Sequence, residues 1–247
     1  MDFCLTFRHV CVVVSSLPAI SLIICILRCM TTNPCSRIDC TNTNFLPSVS
    51  ASISGNGPHR VMWIISILIT SAGRLLILFN SYINSRNLFN SLSGKGHICI
   101  SNLSYLSSFI EIFSLNMLSI VSSSDNYIQH RNYFCAFALF SVVYMITDVY
   151  VLQLRLKTIE NAFLKERYKV ISITVRLQLI FPLLLRRAHT VLSAVEYAAI
   201  FANIIYHYTT SNTFEDISMR KMITYFCTGR TIPFVNMKSE QPLLEVK

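Results

Sequence analysis

Four ionisable residues stand where a water-facing surface would not place them: Arg74, Glu111, Asp148 and Glu196 lie within or near the ends of long apolar stretches. An ionised group at the centre of a membrane helix costs about 2.5–3.5 kcal/mol on insertion scales, so each must face a bundle interior and find a partner. Reading Val61–Ile83 and Ile98–Val121 as helices rising 1.5 Å per residue, Arg74 lies roughly 20 Å below the Val61 end. Glu111 then lies roughly 15 Å below the Val121 end. At those depths the two can pair. Such a pair is either a structural tie that fixes helix packing or the polar part of a cavity that receives a lipid headgroup.

A second constellation lies in the polar turn Ser122–Asn132. Asp125 and His130 stand five positions apart there, close enough for a carboxylate to orient an imidazole as the general base of an acyl transfer. The competing reading is a turn whose Ser and Asp residues cap helix ends. No Gly-x-Ser-x-Gly elbow marks an activated serine. Glu196 falls about two turns into the last apolar stretch, and His207 near its far end, where an imidazole at headgroup depth has a structural role. The sequence holds no phosphate-cradling glycine loop, dinucleotide fingerprint or metal-ligand spacing, so the reading calls for no cofactor and no metal.

The elements that must position these residues follow from composition. Of the 247 residues 53% are hydrophobic and 13% charged, with a mean hydropathy of +0.51; soluble domains carry about 25% charged residues. The net charge of +9 is not a nucleic-acid footprint, because the basic residues sit between apolar blocks rather than in a polar stretch interleaved with aromatics. The expected fold is therefore all-α, a polytopic membrane helix bundle. Its six transmembrane helices are expected over 10–27, 61–83, 98–121, 133–152, 169–185 and 190–208, forming one multipass domain over 1–208 with a tail over 209–247. Arg28-Cys29-Met30 follows the first stretch in place of a small-residue cleavage site, so that stretch reads as a retained helix despite Pro18. The fifth is short and carries Arg176 and Pro182.

With the N-terminus in the cytosol, that side collects thirteen Lys and Arg residues against six opposite, which places both termini and the tail in the cytosol. The loops holding Cys35 and Cys40, Asp125 and His130, and Arg186–His189 then face the lumen. A Cys35–Cys40 disulfide is chemically permitted there, the alternative being two reduced thiols. Cys4, Cys11, Cys25, Cys99, Cys135 and Cys227 read as small hydrophobes. The sequon Asn102-Leu103-Ser104 falls inside the third span and is expected to carry no glycan.

Several segments together resemble a known family. Asn44-Phe45-Leu46-Pro47-Ser48-Val49-Ser50, then Pro58-His59-Arg60 and Trp63, resemble the first luminal loop of the post-GPI attachment to proteins factor 2 family. Ser71-Ala72-Gly73-Arg74 is similar to its second helix. Glu111, Val121-Ser122-Ser123-Ser124-Asp125 and His130 are similar to its third helix and following turn, and Glu196-Tyr197, Asn203 and His207 to its last helix. The likeness runs in order from about residue 10 to residue 210 and extends to a wider superfamily of DRAM and Sfk-type membrane proteins. Between Arg176 and Glu196 the chain is shorter than the family pattern, so it resembles a divergent or shortened member.

The resemblance implies a Golgi membrane protein, with the endoplasmic reticulum as second choice. It implies assistance in, or performance of, the reacylation half of GPI-anchor fatty-acid remodelling. The implied partners are membrane lipid, GPI-anchored proteins and other remodelling enzymes. In that reading Arg60, Arg74, Glu111 and Glu196 bind the lipid headgroup, and Asp125 and His130 are the catalytic candidates. The alternative is a non-catalytic membrane adaptor of the DRAM-like type. A transporter is the weaker third option, since no inverted repeat or paired broken helices are visible.

Overall fold

Apolar runs of twenty or more residues can satisfy their backbone in hydrocarbon only as helices, and the chain is helical where those runs occur. The computed structural model describes residues 6–32, 48–54, 57–91, 95–155, 167–176 and 189–210, together with Thr228. Its helices are α1 (Phe7–Thr32), the short α2 (Val49–Ile53), α3 (Pro58–Ser91), α4 (Lys95–Ile120), α5 (Tyr127–Arg155), α6 (167–176) and α7 (His189–Thr210). Among the described residues, four helices are long and apolar enough to cross a membrane: His9–Thr31, Pro58–Ile83, Gly96–Ile120 and Tyr127–Leu154. The fifth expected span is described only through α6, and α7 covers the sixth.

Two boundaries differ most from those expected of the sequence. α3 continues to Ser91, because nothing in Asn84–Ser91 breaks a helix before Gly94. α5 begins at Tyr127, not Tyr133. Asn126 caps it, its Oδ1 accepting the Gln129 N–H at 3.1 Å. His130 therefore belongs to the first turn of a helix.

The bundle is apolar outside and polar within. Leu106, Phe109 and Phe113 on α4 point outward, while Ser104, Ser107, Ser108, Glu111 and Ser114 on the same helix are buried. α1 and α3 show the same division, with Ile20, Ile24, Leu27, Ile65, Leu68 and Leu76 outward and Ser21, Ser66, Thr70 and Arg74 inward. Lipid gives helices no hydrophobic reason to associate, so close contacts between small residues and hydrogen bonds must hold them. Ser71 and Asn116 bond each other across α3 and α4 at 2.9 and 3.1 Å, and Trp63 Nε1 donates to Ser119 Oγ at 3.2 Å.

The α1–α3 seam shows how a proline is accommodated. Pro18 has no N–H for the carbonyl four residues earlier, that of Val14; Thr70 Oγ1 donates to it instead at 3.0 Å. One turn on, Gly73 lets the backbones approach: a Cβ there would meet Val14 Cγ2 at 2.6 Å. α1 also packs along α7, α3 along α4, and α4 along α5, while α2 touches α1, α3 and α7. Two apolar clusters result. One, at the α2 end, holds Leu22, Trp63, Ile67 and Tyr197; the other holds Leu78, Ile112, Met145 and Tyr206. A polar layer separates them.

Candidate functional site: an amphipathic cavity beneath helix α2

That polar layer is built by four helices. Glu196, Asn203 and His207 are spaced seven and four residues apart, so they share one face of α7. Across from them, Arg74 of α3 donates to Glu111 Oε1 of α4 at 2.6 Å, with Glu111 fully buried. Asn203 Nδ2 donates to the same oxygen at 2.9 Å and to Ser141 Oγ of α5 at 2.7 Å. The Arg74 guanidinium also donates to His207 Nε2. An arginine can only donate, so His207 Nε2 holds a lone pair and its 3.4 Å approach to Glu111 is proximity rather than a bond. The imidazole is neutral, with its proton on Nδ1, and stacks on Tyr144 at 5.6 Å between ring centroids.

Above this floor a cavity rises toward α2, with an empty volume of about 880 Å³ counting the open space at its mouth. Its throat is apolar: Trp63, Ile67, Leu115, Leu118, Phe134, Phe137, Ile200 and Ile204. Its mouth is polar, with Ser50, Arg60, Ser122, Ser123 and His130. From Arg60 at the mouth to Arg74 at the floor, α3 rises roughly 21 Å. α2 roofs one side. Ser48 caps it by accepting the Ala51 N–H at 3.1 Å, and Glu196 Oε2 accepts the Val49 N–H at 3.0 Å.

The mouth corrects one expectation. Asp125 does not touch His130; its Oδ2 accepts from Arg60 at 3.0 Å, and Arg60 also donates to the Ile120 carbonyl at 2.9 Å. His130 is oriented by backbone: Nδ1 lies 2.6 Å from the Val121 carbonyl oxygen, and Nε2 lies 2.8 Å from Ser50 Oγ. With α5 starting at Tyr127, the imidazole is carried back onto the end of α4, while Asp125 stays outside, 56% exposed.

Of the expected site residues, Arg60, Arg74, His130 and Glu196 line the cavity. Glu111 is behind Arg74 and Asn203, and Asp125 is on the rim. Asp148 pairs with Arg167 of α6 at 2.7 Å and accepts from Tyr206 at 2.7 Å, below the floor. Cys11 and Cys25 are buried, whereas Cys99 and Cys135 are exposed on the outer face. Cys35 and Cys40 lie outside the described residues, and Cys29, at the α2 end of α1, is disulfide-bonded. Ser50 and the inward placement of His207 were not read from the sequence. The seven-and-four spacing on α7 was the available signal for His207; Ser50 is identified only by contact with a residue 80 positions away. Among the described residues, no group of three or more His, Cys, Asp or Glu is arranged to hold a metal.

A polar-cored bundle of apolar-coated helices around an amphipathic cavity is the architecture of a multipass membrane protein. The chain belongs to the Frag1/DRAM/Sfk1/Cwh43P N-terminal domain family, which it matches over residues 6–217. It is 36% identical over 147 residues to "Acyltransferase PGAP2" of Xenopus tropicalis, a match covering 58% of this chain and 57% of that protein. It is 26% identical over 219 residues to "Post-GPI attachment to proteins factor 2" of Caenorhabditis elegans, covering 82% and 83%. A Drosophila melanogaster protein of that same name is 30% identical over 155 residues, covering 59% and 56%. The chain thus spans a little over half the length of the frog and fly relatives. No solved structure matches it.

Proposed function

We propose that this protein takes a GPI-anchor lipid into the cavity from the luminal leaflet and takes part in exchanging one of its fatty-acid chains, at the reacylation step. The observation that carries the reading is the cavity's division into a polar, serine-rich mouth that holds Arg60 and a deep apolar throat. A phosphate at the rim meets Arg60, and an acyl chain finds apolar walls beneath it. His130 sits at the level where headgroup and chain join and acts as general base; the names of the relatives support the chemistry. Asp125 holds Arg60 in place, Arg74 with Glu111 closes the floor, and Glu196 secures α2.

Six spans, with both termini and the tail over 209–247 in the cytosol, complete the proposal. α1 and α3 run antiparallel, and α7 descends from Glu196 at the mouth to His207 at the floor. The Phe7 end of α1 and the Thr210 end of α7 thus point away from the mouth. A disulfide at Cys29 favours an oxidising compartment on the mouth side. We place the protein in the Golgi membrane, with the endoplasmic reticulum as second choice, acting on GPI-anchored proteins beside other remodelling enzymes.

Mass spectrometry of GPI anchors from cells lacking the protein, rescued by wild type or His130→Ala, tests this. Restoration of the normal acyl profile by wild type alone supports it; an unchanged profile in the knockout ends it. The adaptor reading draws on the buried Arg74–Glu111–Asn203–Ser141 network, which ties four helices together as a structural bundle requires. Full rescue by both His130→Ala and Glu111→Gln would favour that reading.

A further inference from the structure

We infer that Ser50 is a nucleophile and that acyl transfer proceeds through an ester on its hydroxyl, with His130 as its base. The inference deepens the remodelling reading and rests on it for the identity of the acceptor lipid alone.

The Val121 carbonyl oxygen can only accept, so the 2.6 Å contact fixes the hydrogen of His130 on Nδ1. In the neutral imidazole Nε2 then carries the lone pair, and the 2.8 Å contact is Ser50 Oγ–H donating to it. This is the relation between an activated serine and its base, with a backbone carbonyl in the orienting place that a carboxylate often fills. Two further ties position the serine. Ser48 and Glu196 hold the first turn of α2 through the Ala51 and Val49 amides, on either side of Ser50. Both members of the pair line the cavity where the polar mouth meets the apolar throat. A hydrogen bond that served only to brace α2 against α5 would not need to sit on that wall.

The step balances without a redox partner. Ser50 Oγ attacks the carbonyl carbon of an acyl ester of a membrane lipid as its proton passes to Nε2. The donor's acyl C–O bond breaks, and its alcohol leaves with that proton. The hydroxyl of the lyso-lipid acceptor then gives a proton to Nε2 and attacks the Ser50 ester. Ser50 Oγ departs and regains the proton.

The test is covalent labelling of the full-length protein in detergent with a long-chain alkyl fluorophosphonate, the adduct being located by peptide mass spectrometry. We expect a Ser50 adduct in wild type, none at that position in Ser50→Ala, and labelling slowed about a hundredfold or more in His130→Gln. Ser50→Cys covers the case in which Ser50→Ala fails to fold. Supplied with an alkyne-tagged acyl ester, it should trap the chain at position 50 as a hydroxylamine-labile thioester. No Ser50 adduct in monodisperse wild type, or wild-type remodelling by Ser50→Ala, overturns the nucleophile. A Ser50 adduct together with an unchanged GPI acyl profile in the knockout upholds the nucleophile and rejects the GPI lipid as its acceptor.

Discussion

Arg60 and Asp125 meet at 3.0 Å over the mouth of the cavity, and this engagement leaves His130 to be aimed by a backbone carbonyl. The rim pair is partly in water, where such pairs contribute about 0–1 kcal/mol. Asp125→Asn should therefore cost little thermal stability and lower anchor remodelling far less than His130→Gln, which should lower it about a hundredfold or more. Equal losses in the two variants would return Asp125 to the imidazole.

Arg74 and Glu111 are a different kind of pair, since both are buried. Removing one charge strands the other, a loss of about 3–5 kcal/mol. Arg74→Ala should thus unfold well below wild type in a detergent melt. Replacing both residues by Met should recover much of that loss, because it removes the stranded charge. A wild-type melt for Arg74→Ala would mean that the floor does not hold the bundle together.

Gly73 admits α1 through the absence of a side chain. Gly73→Ala should cost about 1–3 kcal/mol by overpacking against Val14. Val14→Ala in the same chain should restore most of it, because the Val14 methyls that a new Cβ would meet at 2.6 and 2.7 Å are then gone. Thermal melts of the two single variants and the double variant give the coupling directly. Additive losses would show that the seam shifts as a whole.

Tyr127, 64% exposed at the start of α5, reports on orientation. Tyr127→Cys should react with a membrane-impermeant maleimide, above the wild-type background, only after organelle membranes are opened. Reaction in cells with only the plasma membrane permeabilised would put the mouth in the cytosol.

The helices were legible because hydropathy in a bilayer is a one-dimensional signal: a run of apolar residues has no other way to satisfy its backbone. Arg74 and Glu111 were legible as partners for the same reason, both being charges with nowhere else to go. The start of α5 was less so. Asn126 as a cap and Asn126 as a turn residue look alike in sequence, and six residues of helix, His130 among them, depended on the difference. His207 was read by its depth alone, although its spacing from Asn203 and Glu196 places all three on one face. Ser50 was beyond reach. In its own segment it is one serine among several, and its chemistry comes from an imidazole brought to it by two other helices.

The arrangement of large apolar side chains on the outside has a thermal consequence. Heat capacity rises on unfolding because apolar surface becomes hydrated. Here Leu106, Phe113 and their outward neighbours lie in hydrocarbon or detergent before the helices separate and remain there afterwards, so little such hydration accompanies the loss of the fold. The free energy of this bundle should therefore fall almost linearly with temperature, without the dome of a water-soluble domain, and cooling should go on strengthening it where soluble proteins have begun to weaken.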